Sequence, residues 1–238
     1  GAANTAVGHL ALDANTTASN NTAVGYAALG ANTTGTSNVA VGYTALDSNT
    51  TADNNTAIGN VTLHSNTTGT NNTAVGSGTM NTNTTGDNNT AMGVSALYTN
   101  NADNNTAFGR SALAANTTGA SNTAVGHQTL DANTTGTANV AVGKGAGGAL
   151  TTGSYNTAIG MEALLTATTA DSNTAVGREA LKANTSGTNN VAVGRDALQV
   201  NTTGSENVAV GVDCLDSNTT ASYNTGVGYN VLEATTTG

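Results

Sequence analysis

The sequence is built on one five-residue phrase, Asn-(Thr/Val)-Ala-(Val/Ile/Met/Phe)-Gly, which recurs along its whole length. One copy is Asn21-Thr22-Ala23-Val24-Gly25, and we name the closing residue of each copy the phrase glycine. Phrase glycines are 17 residues apart at every step except from Gly93 to Gly109, where the step is 16. A short fixed period means that each repeat packs on its neighbours in a one-dimensional stack. We therefore predict a single continuous repeat array over residues 1–238.

The phrase predicts a β-strand of about four to five residues, because β-branched residues alternate with Ala. The Thr/Val position and the Val position share one face of that strand. We expect this face to point inward, which places Val24 and Val41 in the core. The Ala position, which only Gly226 breaks, then faces outward. Its constancy predicts close cover by a neighbouring sheet or a second copy of the chain.

Leu and Asn recur at fixed positions in the rest of each repeat. A Leu four residues after the phrase glycine is the second predicted core position, and examples are Leu29, Leu46 and Leu113. Asn recurs four residues before and seven residues after the glycine, which suggests two internal ladders of stacked amides. The predicted ladder residues are Asn21, Asn38, Asn55, Asn72, Asn32, Asn49 and Asn66. The Thr-Thr-Gly that follows has the composition of a turn.

The period excludes helical and leucine-rich repeats, since these need longer units. We predict an all-β fold, a β-solenoid (β-helix or β-roll) of about fourteen 17-residue coils, with one strand, a short second strand and turns per coil. Low complexity can also mean disorder. The strict register of the apolar residues favours the solenoid. The repeat after Gly143 has Gly147 in the Leu position and Leu150 in the Asn position, and the next has Ala167 there, so a local fault is expected.

The acidic net charge narrows the classes of partner that the chain could bind. The net charge is −9 with only five Lys and Arg, which argues against binding to nucleic acid or to an anionic membrane surface. No apolar run has the roughly 20 residues of a membrane span. We expect no enzyme activity and no cofactor. The expected partner is the chain itself, as a homopolymer or homo-oligomer.

An acidic row is the main candidate for chemistry. Glu162, Glu179, Asp196 and Asp213 occupy one position in four successive repeats, so they would stack about 4.8 Å apart. The row could be a solvated ladder partly paired with Arg178 and Arg195, a weak cation site, or paired catalytic carboxylates, of which the first is favoured. His9, His64 and His127 are predicted to be solvent-facing residues, and Cys214 is predicted to fill a small-residue position.

The recurring threonine residues suggest two further hypotheses about function. Regular Thr arrays on a flat solenoid face can order water, as in ice-binding proteins, but the Thr position of the phrase accepts Val and is expected inside. The turn threonines are candidate O-glycan carriers, and they include Thr33, Thr34, Thr67, Thr68, Thr134 and Thr135. Asn15, Asn20, Asn32 and Asn54 lie in N-glycosylation patterns, most of which we interpret as incidental to the ladder.

The stretch from Asn21 to Gly35, Asn-Thr-Ala-Val-Gly-Tyr-Ala-Ala-Leu-Gly-Ala-Asn-Thr-Thr-Gly, carries a resemblance. It resembles the repeat arrays of bacterial secreted and phage tail-fibre-like surface proteins. It is more loosely similar to the head repeats of trimeric autotransporter adhesins, whose period is shorter. The resemblance implies an extracellular or cell-surface location. Gly1 and Gly238 stand at the same position of the repeat, which favours stacking of coils across chain boundaries.

We therefore expect a structural subunit of an extracellular fibre or surface appendage that self-assembles by coil stacking and could carry covalent glycans. The first alternative is an adhesin that binds glycans or a host surface. The second is an ice-binding protein.

Overall fold

The computed structural model describes residues 1–232, and it is all-β, with no helix in that range. The chain divides into two compact units, Gly1–Thr118 and Gly119–Gly238. The first unit contains β1 Thr5–Val7, β2 Thr22–Val24, β3 Val39–Val41, β4 Thr56–Ile58, β5 Thr73–Val75, β6 Thr90–Met92 and β7 Thr106–Phe108. The second contains β8 Thr123–Val125, β9 Val140–Val142, β10 Thr157–Ile159, β11 Thr174–Val176, β12 Val191–Val193, β13 Val208–Val210 and β14 Thr225–Val227.

Within each unit, every strand pairs in parallel with the strand of the next repeat, and equivalent residues face each other. Ala23 pairs with Ala40 in the first unit, and Ala175 pairs with Ala192 in the second. One strand per repeat, in strict register, defines a β-solenoid, so the predicted fold class is confirmed. The strands have three residues rather than four to five. Continuity of one array from the first unit to the second stays a prediction.

The direction of the strand side chains is opposite to the one expected. The central Ala of the phrase is buried, as Ala23 and Ala40 show with no exposed surface, whereas Val24 and Val41 are only half-buried. In β2–β14 the central residue is buried and both its neighbours are exposed or half-buried, as in β2, β7 and β13. The assignment of Val24 and Val41 to the core is therefore wrong, and the Thr/Val and Val positions form the outer face.

The interior beneath the strands is too shallow for a residue larger than Ala. At Gly226, which replaces the phrase Ala, an added Cβ would lie 2.8 Å from Cys214 Sγ and 3.4 Å from Leu215 Cγ. The central strand residue therefore packs directly on the Leu position and on the small residue before it. The prediction of close cover at the Ala position is correct, but the cover comes from the chain's own coil and not from a neighbouring sheet or a second copy.

The predicted short second strand is absent from the described coils, where the Leu position lies in a run of turns. Ala28 and Leu29 are both fully buried, although consecutive residues of a strand point to opposite faces. The chain achieves this because Ala27 and Leu29 adopt left-handed conformations, with φ of 50° and 54°. Leu46 and Leu113 repeat the conformation, with φ of 55° and 52°, and both are fully buried.

The phrase glycines are fixed by backbone contact between coils. Gly59 has a φ of +140°, which side chains rarely tolerate, and an added Cβ would lie 2.6 Å from the Gly76 carbonyl oxygen. The stacked phrase glycines let adjacent coils approach closely at the end of each strand. Any side chain at this position would force the coils apart.

Candidate functional site

The first Asn ladder joins successive strands through the Asn that opens each phrase. The backbone N–H of Asn38 donates to Asn21 Oδ1 at 2.9 Å, and Asn55 repeats the bond to Asn38 at 2.9 Å. The Asn38 amide then donates to the Ala52 carbonyl oxygen at 2.8 Å. Each side chain therefore bonds to the next coil with its oxygen and closes its own coil with its nitrogen. Asn72, the fourth predicted member, continues the pattern.

The second Asn ladder runs through the turns. Asn49 Nδ2 donates to Asn32 Oδ1 at 3.0 Å, and Asn66 Nδ2 donates to Asn49 Oδ1 at 2.9 Å. Each of these amides also donates to a carbonyl three residues later, as Asn32 does to Gly35 at 2.9 Å. All three Asn side chains are fully buried, so the bonds satisfy polar groups that have no access to water. Both predicted ladders are confirmed.

The turn ladder is interrupted in the second unit, where Leu150 and Ala167 occupy the Asn position, and both are fully buried. An added Cβ at Gly147 would lie 2.8 Å from Leu130 Cδ2 and 3.1 Å from Leu150 Cδ1, so Leu150, together with Leu130, fills the space that Gly147 leaves. The backbone bonds between coils continue here, since Gly147 N–H donates to the Ala163 carbonyl at 2.9 Å. At this interruption the Asn side-chain hydrogen bonds between coils are lost, whereas the interior stays filled with apolar side chains.

The sequence analysis did not identify a third ladder, because the residue type at its position varies from repeat to repeat. Two residues before the phrase Asn, an Asp or Ser side chain accepts from the backbone N–H at the same position of the preceding coil. Asp53 Oδ1 accepts from Thr36 N–H at 2.6 Å, and Asp87 accepts likewise from Thr70 at 2.6 Å. In the second unit Ser205 Oγ accepts from Thr188 N–H at 3.0 Å. The signal was present as a position restricted mainly to short side chains with an oxygen acceptor.

The acidic row of the second unit is neutralised by neighbouring cations. Lys182 Nζ lies 2.7 Å from Glu162 and 3.2 Å from Glu179. Arg195 lies 3.2 Å from Asp196 and 2.8 Å from Asp213. Every carboxylate of the row therefore has a basic partner, which the solvated, paired ladder predicts. Arg178 and Arg195 were expected to take part, whereas Lys182, which joins two coils, was not identified.

These ion pairs shift two pKa values. The hydrogen bond from Lys182 holds the pKa of Glu179 below its ordinary value, with further help from Arg178 and Gln199. The hydrogen bonds to Glu162 and Glu179 raise the pKa of Lys182. Residues 1–232 contain no group of three or more His, Cys, Asp or Glu side chains arranged to hold a metal ion. The geometry therefore favours an ion-pair network over a cation site at this row.

The outer surface of the strands is the largest regular feature of the fold. We name it the strand face: the first and third residues of β1–β14. The third residue is Val, Ile, Met or Phe in every strand, and Val7, Ile58, Met92 and Val227 each expose 40% or more of their surface. No residue of the strand face is charged. It is thus an uncharged surface of apolar and threonine side chains.

The two turn threonines have different environments. Thr33 is half-buried and its hydroxyl donates to the Thr50 carbonyl in the next coil at 3.0 Å, and Thr67 and Thr134 make the equivalent bond. Thr34, Thr68 and Thr135 are exposed. Among the N-glycosylation patterns, Asn32 is fully buried in the turn ladder, whereas Asn20 and Asn54 are exposed. Exposure alone thus favours the second Thr of each pair as a glycan carrier.

The histidine and cysteine candidates make contacts that are typical of structural residues. His9 stacks on Tyr26 with ring centroids 5.5 Å apart, and Tyr26 stacks on Tyr43 at 5.3 Å, so the ring faces cover one another. His64 Nδ1 lies 3.3 Å from the Thr44 carbonyl oxygen. Cys214 is fully buried, and burial raises the pKa of its thiol. These placements explain the residues without invoking a ligand.

The second unit has one notable groove beside the fault, with a volume of about 520 Å³. It exists because Gly145 and Gly148 lack side chains between Asp131 and Leu165. Burial raises the pKa of Asp131, against the opposing effects of a backbone hydrogen bond and of His127. A single carboxylate in an open, largely apolar groove does not define a catalytic arrangement.

The fold and its ladders define the chain as a β-solenoid repeat protein. Comparison with protein-family models, characterised proteins and solved structures finds no match for this chain. No helix among the described residues is long and apolar enough to cross a membrane.

Proposed function

We propose that this chain is a structural subunit of an extracellular fibre or surface appendage, which assembles by stacking coils of one copy on coils of the next. The observation that supports the proposal is the uniformity of the bonds between coils. The bond from Asn38 N–H to Asn21 Oδ1 in the first unit recurs in the second unit as that from Asn190 N–H to Asn173 Oδ1, at 2.9 Å and 3.0 Å. A coil supplied by another copy can form the same set of bonds.

Energetics favour a long stack. The apolar side chains that one coil buries, such as Ala23, Ala28 and Leu29, stabilise it by far less than ordering its residues costs. Stability must come from contacts between coils, and a coil at an unstacked surface has half of them. Addition of a further copy therefore stabilises the array, as in other one-dimensional repeat proteins.

The extracellular location, and the role of exposed Thr34, Thr68 and Thr135 as glycan carriers, are parts of the same proposal. Their support is the resemblance to secreted repeat arrays and the exposure of these hydroxyl groups. Adhesion to a glycan or host surface is the alternative role for such a shaft, and retention on a glycan array would identify it.

The direction of the strand face also favours a second candidate function, ice binding. The Thr position was expected inside, which counted against this function, but Thr22 and Thr56 lie on the outer face of the strands. Two features count against ice binding: the Thr row is interrupted by valine, and the neighbouring third-residue row is made uneven by Met92 and Phe108. The interrupting residues are Val39, Val140, Val191 and Val208. Measurement of thermal hysteresis tests this candidate directly.

The decisive experiment for the fibre is electron microscopy of the purified chain, combined with light scattering across a concentration series. The proposal predicts filaments whose length grows with concentration. As a matched pair, Asn38→Asp should hinder coil stacking, because it buries a carboxylate charge between coils and removes the amide that closes its own coil on Ala52, whereas the exposed Asn60→Asp should not. A compact monomer at all concentrations would overturn the proposal.

A further inference from the structure

The strand face carries an inference about lateral assembly. Its third-residue row is apolar in all fourteen strands, with Val, Ile, Met and Phe as the only residues used. The position directly after the phrase glycine is also exposed, yet it varies freely among residues such as His9, Tyr43, Asn60, Arg110 and Lys144. The fourteen repeats sample each position fourteen times. If the third-residue row were exposed to water without a partner, we would expect polar residues there, as at the position after the phrase glycine.

We propose that the strand face is an interface between two copies of this chain, packed sheet against sheet. This rests on the proposed function in one respect, since a fibre supplies many coils to each contact. Two sheets pack about 10 Å apart through side chains of their facing surfaces. Because the rows repeat at the coil spacing on both copies, Val and Thr side chains of one copy fit between those of the other at every coil.

The available area agrees with a contact between stacked copies. A three-residue strand covers about 10 Å along its length and about 5 Å across, so one strand contributes about 100 Å² to an interface counted on both sides. The seven strands of one unit therefore give about 700 Å². Stable specific interfaces bury roughly 1,200–2,000 Å², so a fibre of stacked coils that presents about twelve or more strands meets the requirement.

The distribution of charge also favours a contact through the strand face. The chain has a net charge of −9, so two copies repel each other over most of their surfaces. The strand face is uncharged, and the acidic row with its Arg178 and Lys182 partners lies on other positions of the coil. Pairing through the strand face therefore buries apolar surface without burying a charged group. The varied sizes of Val75, Met92 and Phe108 suit a packed protein contact better than a regular ice lattice.

The test uses the full chain with two charges added to the face. Ile58→Lys with Met92→Lys should abolish lateral pairing, because it places two ammonium groups in the interface, and we expect pairing to weaken by at least about tenfold. Asn60→Lys with Val94→Lys is the matched control, since it adds the same charge two residues later in the same coils, and it should leave pairing intact. A second set in the other unit, Ile159→Lys with Val210→Lys against Met161→Lys with Val212→Lys, guards against misfolding of the first.

The readouts separate lateral from end-to-end assembly. Filament width and the dimer population in sedimentation report lateral pairing, and filament length reports the proposed fibre function. We expect unaltered filaments two solenoids wide, or paired chains if no filaments form, and single solenoids for the face variants. Unaltered protein of single-solenoid width, or face variants that remain paired, would overturn the inference. So would ice-growth inhibition that the face variants abolish in a chain that sediments as a monomer, which would assign the face to ice.

Discussion

Asn49 donates its amide to Asn32 Oδ1 over 3.0 Å, and both side chains are completely excluded from solvent. The same contact recurs between Asn66 and Asn49, and it makes the interior of the solenoid partly polar. A buried amide is stable only where each donor and acceptor is paired, and here the pairing partner is the next coil. The polar interior thus ties coil stability to stacking.

Asn49→Ala should lower the free energy of unfolding by about 2–4 kcal/mol, since it removes two donated bonds and leaves Asn32 Oδ1 buried without its donor. Asn60→Ala, at an exposed position one coil away, is the control and should change stability by less than about 0.5 kcal/mol. Chemical denaturation measures both. Equal losses in the two variants would contradict a structural role for the ladder.

Neighbouring strand residues should respond oppositely to a change of size. Ala57→Val should destabilise by about 1–3 kcal/mol, because it adds two methyl groups to a filled interior. Ile58→Thr, on the exposed face, should cost little in the isolated chain. Thermal unfolding at low protein concentration measures both changes. The reverse order would restore the inward placement of the Val row.

The fault in the second unit predicts a compensating pair. Gly147→Leu alone should destabilise, because its Cβ would lie 2.8 Å from Leu130 Cδ2 and 3.1 Å from Leu150 Cδ1, and Leu150→Asn alone should leave a cavity beside Gly147. The double variant restores the common repeat and should be at least as stable as the unaltered chain. A double-mutant cycle should give a favourable coupling of about 1–3 kcal/mol. Additive losses would show that Leu150 does not fill the Gly147 space.

Amide exchange offers a local test of the same fault. Amides near Leu150 and Ala167 should exchange faster than those near Asn32 and Asn201, where side-chain bonds support the coils. Hydrogen exchange read by mass spectrometry resolves these segments. Uniform protection would mean that the backbone bonds alone determine local stability.

The ion pairs of Lys182 predict a pH dependence. The pKa of Glu179 is lowered in the folded chain, so its contribution is present above the ordinary glutamate pKa and is lost as pH falls through the lowered one. The raised pKa of Lys182 has the opposite sign: its contribution is present below the ordinary lysine pKa and is lost as pH rises through the raised one. Glu179→Gln should reduce the fall in Tm on acidification. Glu206→Gln, outside the row, is the control.

Cys214 and Gly226 should behave as a coupled pair. Gly226→Ala should destabilise, because its Cβ would lie 2.8 Å from Cys214 Sγ, and Cys214→Ala should relieve that clash. The buried thiol, whose pKa is raised, should also react with a thiol reagent only on unfolding. Rapid labelling of the folded chain would contradict its burial.

The sequence was sufficient for the architecture because period and register are properties of the chain itself. The 17-residue spacing of Gly25 and Gly42 determines one coil per repeat, and two recurring Asn positions indicate the ladders. Acid and base residues at neighbouring positions, such as Arg195 and Asp196, likewise indicate a paired row. These inferences need no knowledge of which way a strand faces.

Only the tertiary structure decided which face of the strand is inside. Alternation assigns Val24 and Ala23 to opposite faces but does not say which one meets Leu29, and hydrophobicity alone favoured Val. The choice depends on the depth of the coil, which the left-handed turn at Ala27 and Leu29 makes shallow enough for a methyl group only. That turn is a matter of backbone conformation, and glycine occupies its two left-handed positions only at Gly78, Gly145 and Gly147, so most repeats carry no sequence sign of it. The same geometry turns the Val row outward and so creates the surface on which lateral assembly can occur.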